Sequence, residues 1–86
     1  MQQGIRMDDF PKTSFSNVLI QLRKNAGMTQ QKLAEACELD RTYISMLERG
    51  LRMPTLQTIF DLSCALGIRA SDIVELVVLD LNANGQ

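Results

Sequence analysis

Thr29-Gln30-Gln31-Lys32-Leu33-Ala34-Glu35-Ala36-Cys37-Glu38-Leu39-Asp40-Arg41-Thr42-Tyr43-Ile44-Ser45-Met46-Leu47-Glu48-Arg49-Gly50 reads as two short helices with almost nothing between them. Thr29 is a good N-cap, because its hydroxyl can accept from a first-turn N–H that has no partner inside the helix. Residues 30–37 contain no Gly, Pro or β-branched residue, so nothing there opposes a helix. Asp40 is the second expected N-cap, and Gly50 is a natural residue to close a helix over residues 41–49. The apolar positions are Leu33, Ala34 and Cys37, then Leu39 in the turn, then Ile44 and Leu47. Each helix thus has one narrow inner face. With that face turned inward, Arg41, Thr42, Ser45, Met46 and Arg49 look outward. A short helix held by its neighbour and presenting Arg, Thr and Ser suits insertion into the major groove of DNA.

Upstream, residues 1–12 are polar, carry Asp8-Asp9 and contain Pro11, the pattern of a flexible N-terminal arm. A first helix is predicted from residue 13 or 14 to 26, with Phe15, Val18, Leu19, Leu22 and Ala26 forming one buried stripe. Arg23 and Lys24 fall in its last turn, where cations complement the helix dipole, and Gly27 ends it. Downstream, residues 51–55 form a connection in which Pro54 cannot continue a helix and Thr55 caps the next one. That fourth helix is predicted over residues 56–66, with Leu56, Ile59, Phe60, Leu62, Ser63 and Leu66 available to the core, and Gly67 terminates it. The last helix is predicted over residues 70–81, capped by Ser71 or the residue before it, with 82–86 a polar tail. Ile73, Val74, Leu76, Val77, Val78, Leu79 and Leu81 occupy more than one face of it. An all-round apolar helix needs cover on both sides, and a second copy of the chain is the economical cover. The alternative is an unusually apolar helix in a monomer.

Eighty-six residues, 45% hydrophobic, fit one small all-α domain of residues 13–81 with a Leu, Ile and Val core. So short a chain gains from burial in a dimer. No apolar run is long enough to span a membrane, and residues 1–10 lack the apolar stretch of a signal peptide, so a cytoplasmic protein is expected. Cys37 and Cys64 are expected to be small buried hydrophobes in a reducing cytosol, with a disulfide or redox switch as the alternative. The chain has no His and no cluster with metal-ligand spacing, so neither a metal nor another cofactor is expected. No pairing of nucleophile and base stands out, and an enzyme is not expected. The net charge of −1 argues against nucleic-acid binding, but its distribution argues for it. Residues 12–52 carry seven basic and four acidic groups, a net of +3, whereas residues 53–86 carry Arg69 against Asp61, Asp72, Glu75 and Asp80. Such an asymmetry turns the half with the two short helices toward phosphates.

The quoted stretch resembles the helix-turn-helix of the lambda-repressor/Cro (XRE-type) family of bacterial and phage regulators. The matching pattern is Gln30 opening the first helix, Leu33-Ala34, Leu39 in the turn, Ile44-Ser45 and Leu47-Glu48-Arg49-Gly50. The run Leu39-Asp40-Arg41-Thr42-Tyr43-Ile44-Ser45 is especially similar to the controller proteins of restriction–modification systems. The resemblance covers residues 15–76 and implies a compact five-helix DNA-binding domain. It departs from the family at Glu38, where the left-handed turn position is often Gly, a substitution costing roughly 1 kcal/mol.

The resemblance implies a homodimeric transcriptional regulator on a palindromic operator, with double-stranded DNA and a second copy as partners and RNA polymerase as a further candidate. Arg41, Thr42, Ser45 and Met46 are the expected base contacts, with Arg41 placed to bond guanine O6 and N7. Arg23, Lys24, Gln30, Gln31, Lys32, Tyr43, Arg49 and Arg52 are the expected backbone contacts. In the family the residue at Gln30 also helps to orient a recognition-helix side chain. Several of these residues have alternatives: Tyr43 as a packing group, Arg49 in an intramolecular pair with Glu35 or Glu48, and Arg23, Lys24, Lys32 and Arg52 as solvated charges. Ile73, Leu76, Val77 and Leu81 are the expected dimer interface. No ligand-sensing domain fits in this length, so control falls to concentration, dimerisation and site arrangement. The competing function is an antitoxin-type interaction protein that neutralises a partner toxin.

Overall fold

The helices start and stop where local chemistry punctuates the chain. A computed structural model describes residues 12–84, in which α1 spans Lys12–Asn25, α2 Gln30–Cys37, α3 Arg41–Glu48, α4 Leu56–Leu66 and α5 Ala70–Asn84. The expected arm over residues 1–11 lies outside the described residues; Lys12 belongs to α1. Thr29 and Thr55 cap as predicted, accepting from the N–H groups of Lys32 and Thr58 at 3.0 Å each. Asp40 takes the extended N-cap backbone but makes no side-chain cap bond, so that expectation holds only for the backbone.

Gly27, Gly50 and Gly67 each lie just past a helix at φ near +72°. After α3 the Gly50 N–H bonds the Leu47 carbonyl and the Leu51 N–H reaches back to Met46, closing the helix in a Schellman motif. Glu38 plays the same part after α2 at φ +57°, with Leu39 N–H on the Ala34 carbonyl at 2.9 Å. Helix α5 runs past its expected end at residue 81 to Asn84. No Gly or Pro stands between 81 and 84 to stop it, so residues 82–84 are helix, not tail.

Packing follows the stripes. Helix α1 contacts α3 and α5, α2 contacts α3 and α4, and α4 contacts α5. Phe15, Leu19, Leu33, Ile44, Leu47, Leu62 and Ile73 are almost wholly buried at the centre. Ala26 is exposed, so the α1 stripe ends at the half-buried Leu22. Cys37 is buried as expected, with its Sγ 3.6 Å from the Asp61 carbonyl. Cys64 is exposed, because it shares the outer face of α4 with Gln57 and Phe60.

Candidate DNA-binding surface

Helix α3 is fixed from beneath by Ile44 and Leu47, both wholly buried. Its outer side carries Arg41 and Thr42 exposed and Ser45 and Met46 half-buried, and Arg49, just past its end, is exposed. The neighbouring α2 presents Gln31 and Lys32 to solvent, and Lys24 is exposed at the end of α1. Gln31 donates to Glu35 at 3.1 Å. These groups form an open, mostly cationic face able to meet an anionic polymer.

Beneath that face runs a chain of polar contacts. Glu48 is buried and accepts from Arg23 twice, from Nε at 2.5 Å and from Nη2 at 3.0 Å. The remaining Arg23 fork, Nη1, donates to the Met28 carbonyl at 2.9 Å. The Glu48 carboxylate holds the guanidinium charged more firmly than usual, against the opposing effect of partial burial. Gln30 donates to Glu48 Oε1 at 3.0 Å and accepts from Arg41 Nη1 at 3.3 Å. This revises two expectations. Arg23 is a structural cation that ties α1 to α3, with three of its five N–H donors taken up inside the protein. Arg49 pairs with neither Glu35 nor Glu48 among the described residues; Glu48 is buried and turned to Arg23 and Gln30. No local sequence signal links Arg23 to Glu48, which stand 25 positions apart.

Tyr43 is half-buried. Its hydroxyl lies 3.3 Å from Thr58 Oγ1, which is itself 2.9 Å from Thr55 Oγ1. The Arg52 guanidinium stands 5.8 Å above the Tyr43 ring, within reach of a cation–π contact. Of the two readings of Tyr43, the packing one is the contact the structure contains. The residue ties α3 to α4 and carries Arg52 at the edge of the cationic face.

Residues 19–73 match the family described as helix-turn-helix. The chain belongs to the helix-turn-helix family. It is 39% identical over 66 residues to the control protein C.BamHI of Bacillus amyloliquefaciens, covering 76% of this chain and 82% of that one. It is 38% identical over 63 residues to the control protein C.MunI of a Mycoplasma species, covering 72% and 85%. The fold superimposes on the restriction–modification controller protein C.AhdI of Aeromonas hydrophila with a TM-score of 0.70, at 35% identity over 72% of this chain and 94% of that one. The controller protein C.Esp1396I, a tetramer in complex with its natural 35 base-pair operator, gives a TM-score of 0.75 at 32% identity, covering 84% and 95%.

This helix-turn-helix protein also has an apolar surface. Leu56 is 70% exposed, Phe60 50% and Val74 50%. Between α4 and α5 lies an apolar groove of about 290 Å³, walled by Pro54, Leu56, Val74, Val78 and Leu81. The structure divides the four residues expected at the dimer interface between two flanks of α5. Ile73 and Val77 are 1% and 8% exposed and serve the core, reaching the groove only as its floor. Leu76 lies on the opposite flank of α5 with Leu79, beside Asn17 and Leu22 of α1. Leu81 stays at the groove. Leu56 and Phe60, read as core from the sequence, are surface residues. Their i, i+4 spacing beside Ile59 and Leu62 is the signal of a second stripe.

Proposed function

We propose that the chain is a sequence-specific DNA-binding transcriptional regulator acting as a homodimer on an inverted-repeat operator, as a restriction–modification controller protein. The observation that carries this is the outer face of α3, where Arg41 and Thr42 stand exposed at the helix start while Ile44 and Leu47 anchor the inner side. A helix held in this way enters the major groove with its first residues on base edges. Arg41 reads a guanine, Thr42 and Ser45 offer hydroxyls and Met46 an apolar contact. Lys24, Gln30, Gln31, Lys32, Arg49 and Arg52 position the protein on the phosphates. In this reading control falls to concentration, dimerisation and site arrangement, and the protein acts in the cytoplasm.

The groove between α4 and α5 supports the dimer, because a two-fold contact there covers the exposed Leu56 and Val74 with a second copy. The names of the relatives, control proteins of restriction–modification systems, support the controller role. The test is selection of duplexes from a random pool by the wild-type protein, followed by footprinting. We expect inverted half-sites with centres about 10 base pairs apart, one DNA turn. A single unpaired half-site, or no enriched sequence, overturns the reading.

A further inference from the structure

We infer that Glu48, a buried residue that cannot reach DNA, is a specificity-determining positioning residue that sets the aim of Arg41 through the side-chain amide of Gln30. This rests on the reading of Arg41 as a base contact.

The argument is one of donors and acceptors. Glu48 faces the Arg23 guanidinium at 2.5 and 3.0 Å and is therefore a carboxylate, which only accepts. The Gln30 amide meets it at 3.0 Å and must turn its NH2 inward. Its carbonyl oxygen, Oε1, then has to point outward, where it accepts from Arg41 Nη1 at 3.3 Å. Without Glu48 the amide could present either end to α3. With it, the site next to the first residue of the recognition helix is always an acceptor, matched to a guanidinium that only donates. Arg23, with Nη1 on the Met28 carbonyl, pins Glu48 in turn. The ordering of a buried ion pair is thus handed outward to the exposed Arg41. With Nη1 held by Gln30, the Nε and Nη2 donors of Arg41 have no partner among the described residues and form a fork of the kind that bonds guanine O6 and N7. A pre-aimed fork loses less rotamer freedom on binding than a free Arg side chain.

The experiment uses the full chain and duplexes of about 20 base pairs, two half-sites one turn apart, selected from a random pool by the wild type. Every single-base variant of one half-site is then titrated. The readout is the ratio of affinities for the selected and altered base at the position where Arg41→Ala flattens preference. Partial unfolding weakens every duplex alike, so a merely structural role for Glu48 leaves this ratio unchanged. We expect a wild-type ratio of about tenfold or more. Glu48→Gln should reduce it about three- to tenfold, the range for residues of one hydrogen-bond network, and at that position alone. Gln30→Ala should do the same, and adding Glu48→Gln to it should change nothing further. A full ratio in Glu48→Gln overturns the inference, as does an equal loss with and without Gln30. Should Glu48→Gln not fold, side-chain 15N relaxation of the wild type decides. A Gln30 amide as ordered as the backbone, with an order parameter near 0.85, upholds the relay, and one below about 0.6 overturns it. If Arg41→Ala flattens no position, the base-reading assignment itself fails and the relay falls with it. That result differs from a flattening by Arg41→Ala that Glu48→Gln does not share.

Discussion

Arg23 and Arg69 show how little the presence of an ion pair says by itself. The Arg23–Glu48 side chains are 13% and 5% exposed, whereas those of Arg69–Asp72 are 81% and 54% exposed. Removing one partner of a buried pair strands the other charge out of water, while an exposed pair is screened and costs side-chain entropy to hold. Arg23→Met is therefore expected to lower stability by about 3 kcal/mol, read as a drop in the urea midpoint at unchanged m-value. Arg69→Ala should leave the midpoint where it is. The two cysteines separate in the same way. Burial, with Asp61 and Cys64 nearby, pushes the Cys37 thiol up from 9.0 to about 11. The folded chain then holds this proton more tightly than the unfolded chain. The stability it contributes is present below about pH 9 and is lost as the pH rises toward 11. The stability difference between wild type and Cys37→Ala should be flat below pH 9 and shrink above it, measured by denaturant unfolding at each pH. In the folded protein iodoacetamide should label Cys64 and spare Cys37.

At the scale of the element, short helices depend on their ends. Helices α2 and α3 have eight residues each, too few to persist alone in water. Their stability comes from packing and from caps. Thr29 and Thr55 each satisfy an N–H that would otherwise lose its partner, so Thr29→Ala and Thr55→Ala should each cost about 1 kcal/mol. Asp40 makes no such bond, and Asp40→Ala should cost clearly less. Thermal melts of the three variants check the order. Reading the sequence placed three caps on equal footing, because residue type alone does not reveal whether a hydroxyl or carboxylate reaches its N–H. It placed the glycine stops well, because a left-handed position excludes most other residues on steric grounds wherever the helix lies.

For the whole molecule, exposed cations gather on and around α2 and α3, while an apolar groove lies between α4 and α5. Of the four residues expected at a dimer interface, Ile73, Val77 and Leu81 line the groove between α4 and α5 and Leu76 lies on the other flank of α5, so we propose the groove as the dimer face. Leu56→Asp or Val74→Asp should give monomers of unchanged helicity by sedimentation and circular dichroism, while Leu76→Asp should remain dimeric. A monomeric Leu76→Asp with dimeric Leu56→Asp would place the interface on the other flank. Salt should weaken DNA binding steeply, since several cations displace counterions together.

The amino-acid pattern alone determined the five helices, their glycine stops, the inward face of α3 and the outward placing of Arg41 and Thr42. These follow from local sterics and from a 3.6-residue period, which act over a few positions. Only the tertiary structure decided that Arg23 is spent on Glu48, that Gln30 joins Glu48 to Arg41, that Cys64 is exposed, and that Leu56 and Phe60 face outward. Each of those depends on which helix lies across from which. That is set by packing between residues far apart in the chain, where one apolar or charged side chain looks like another until its neighbour is known.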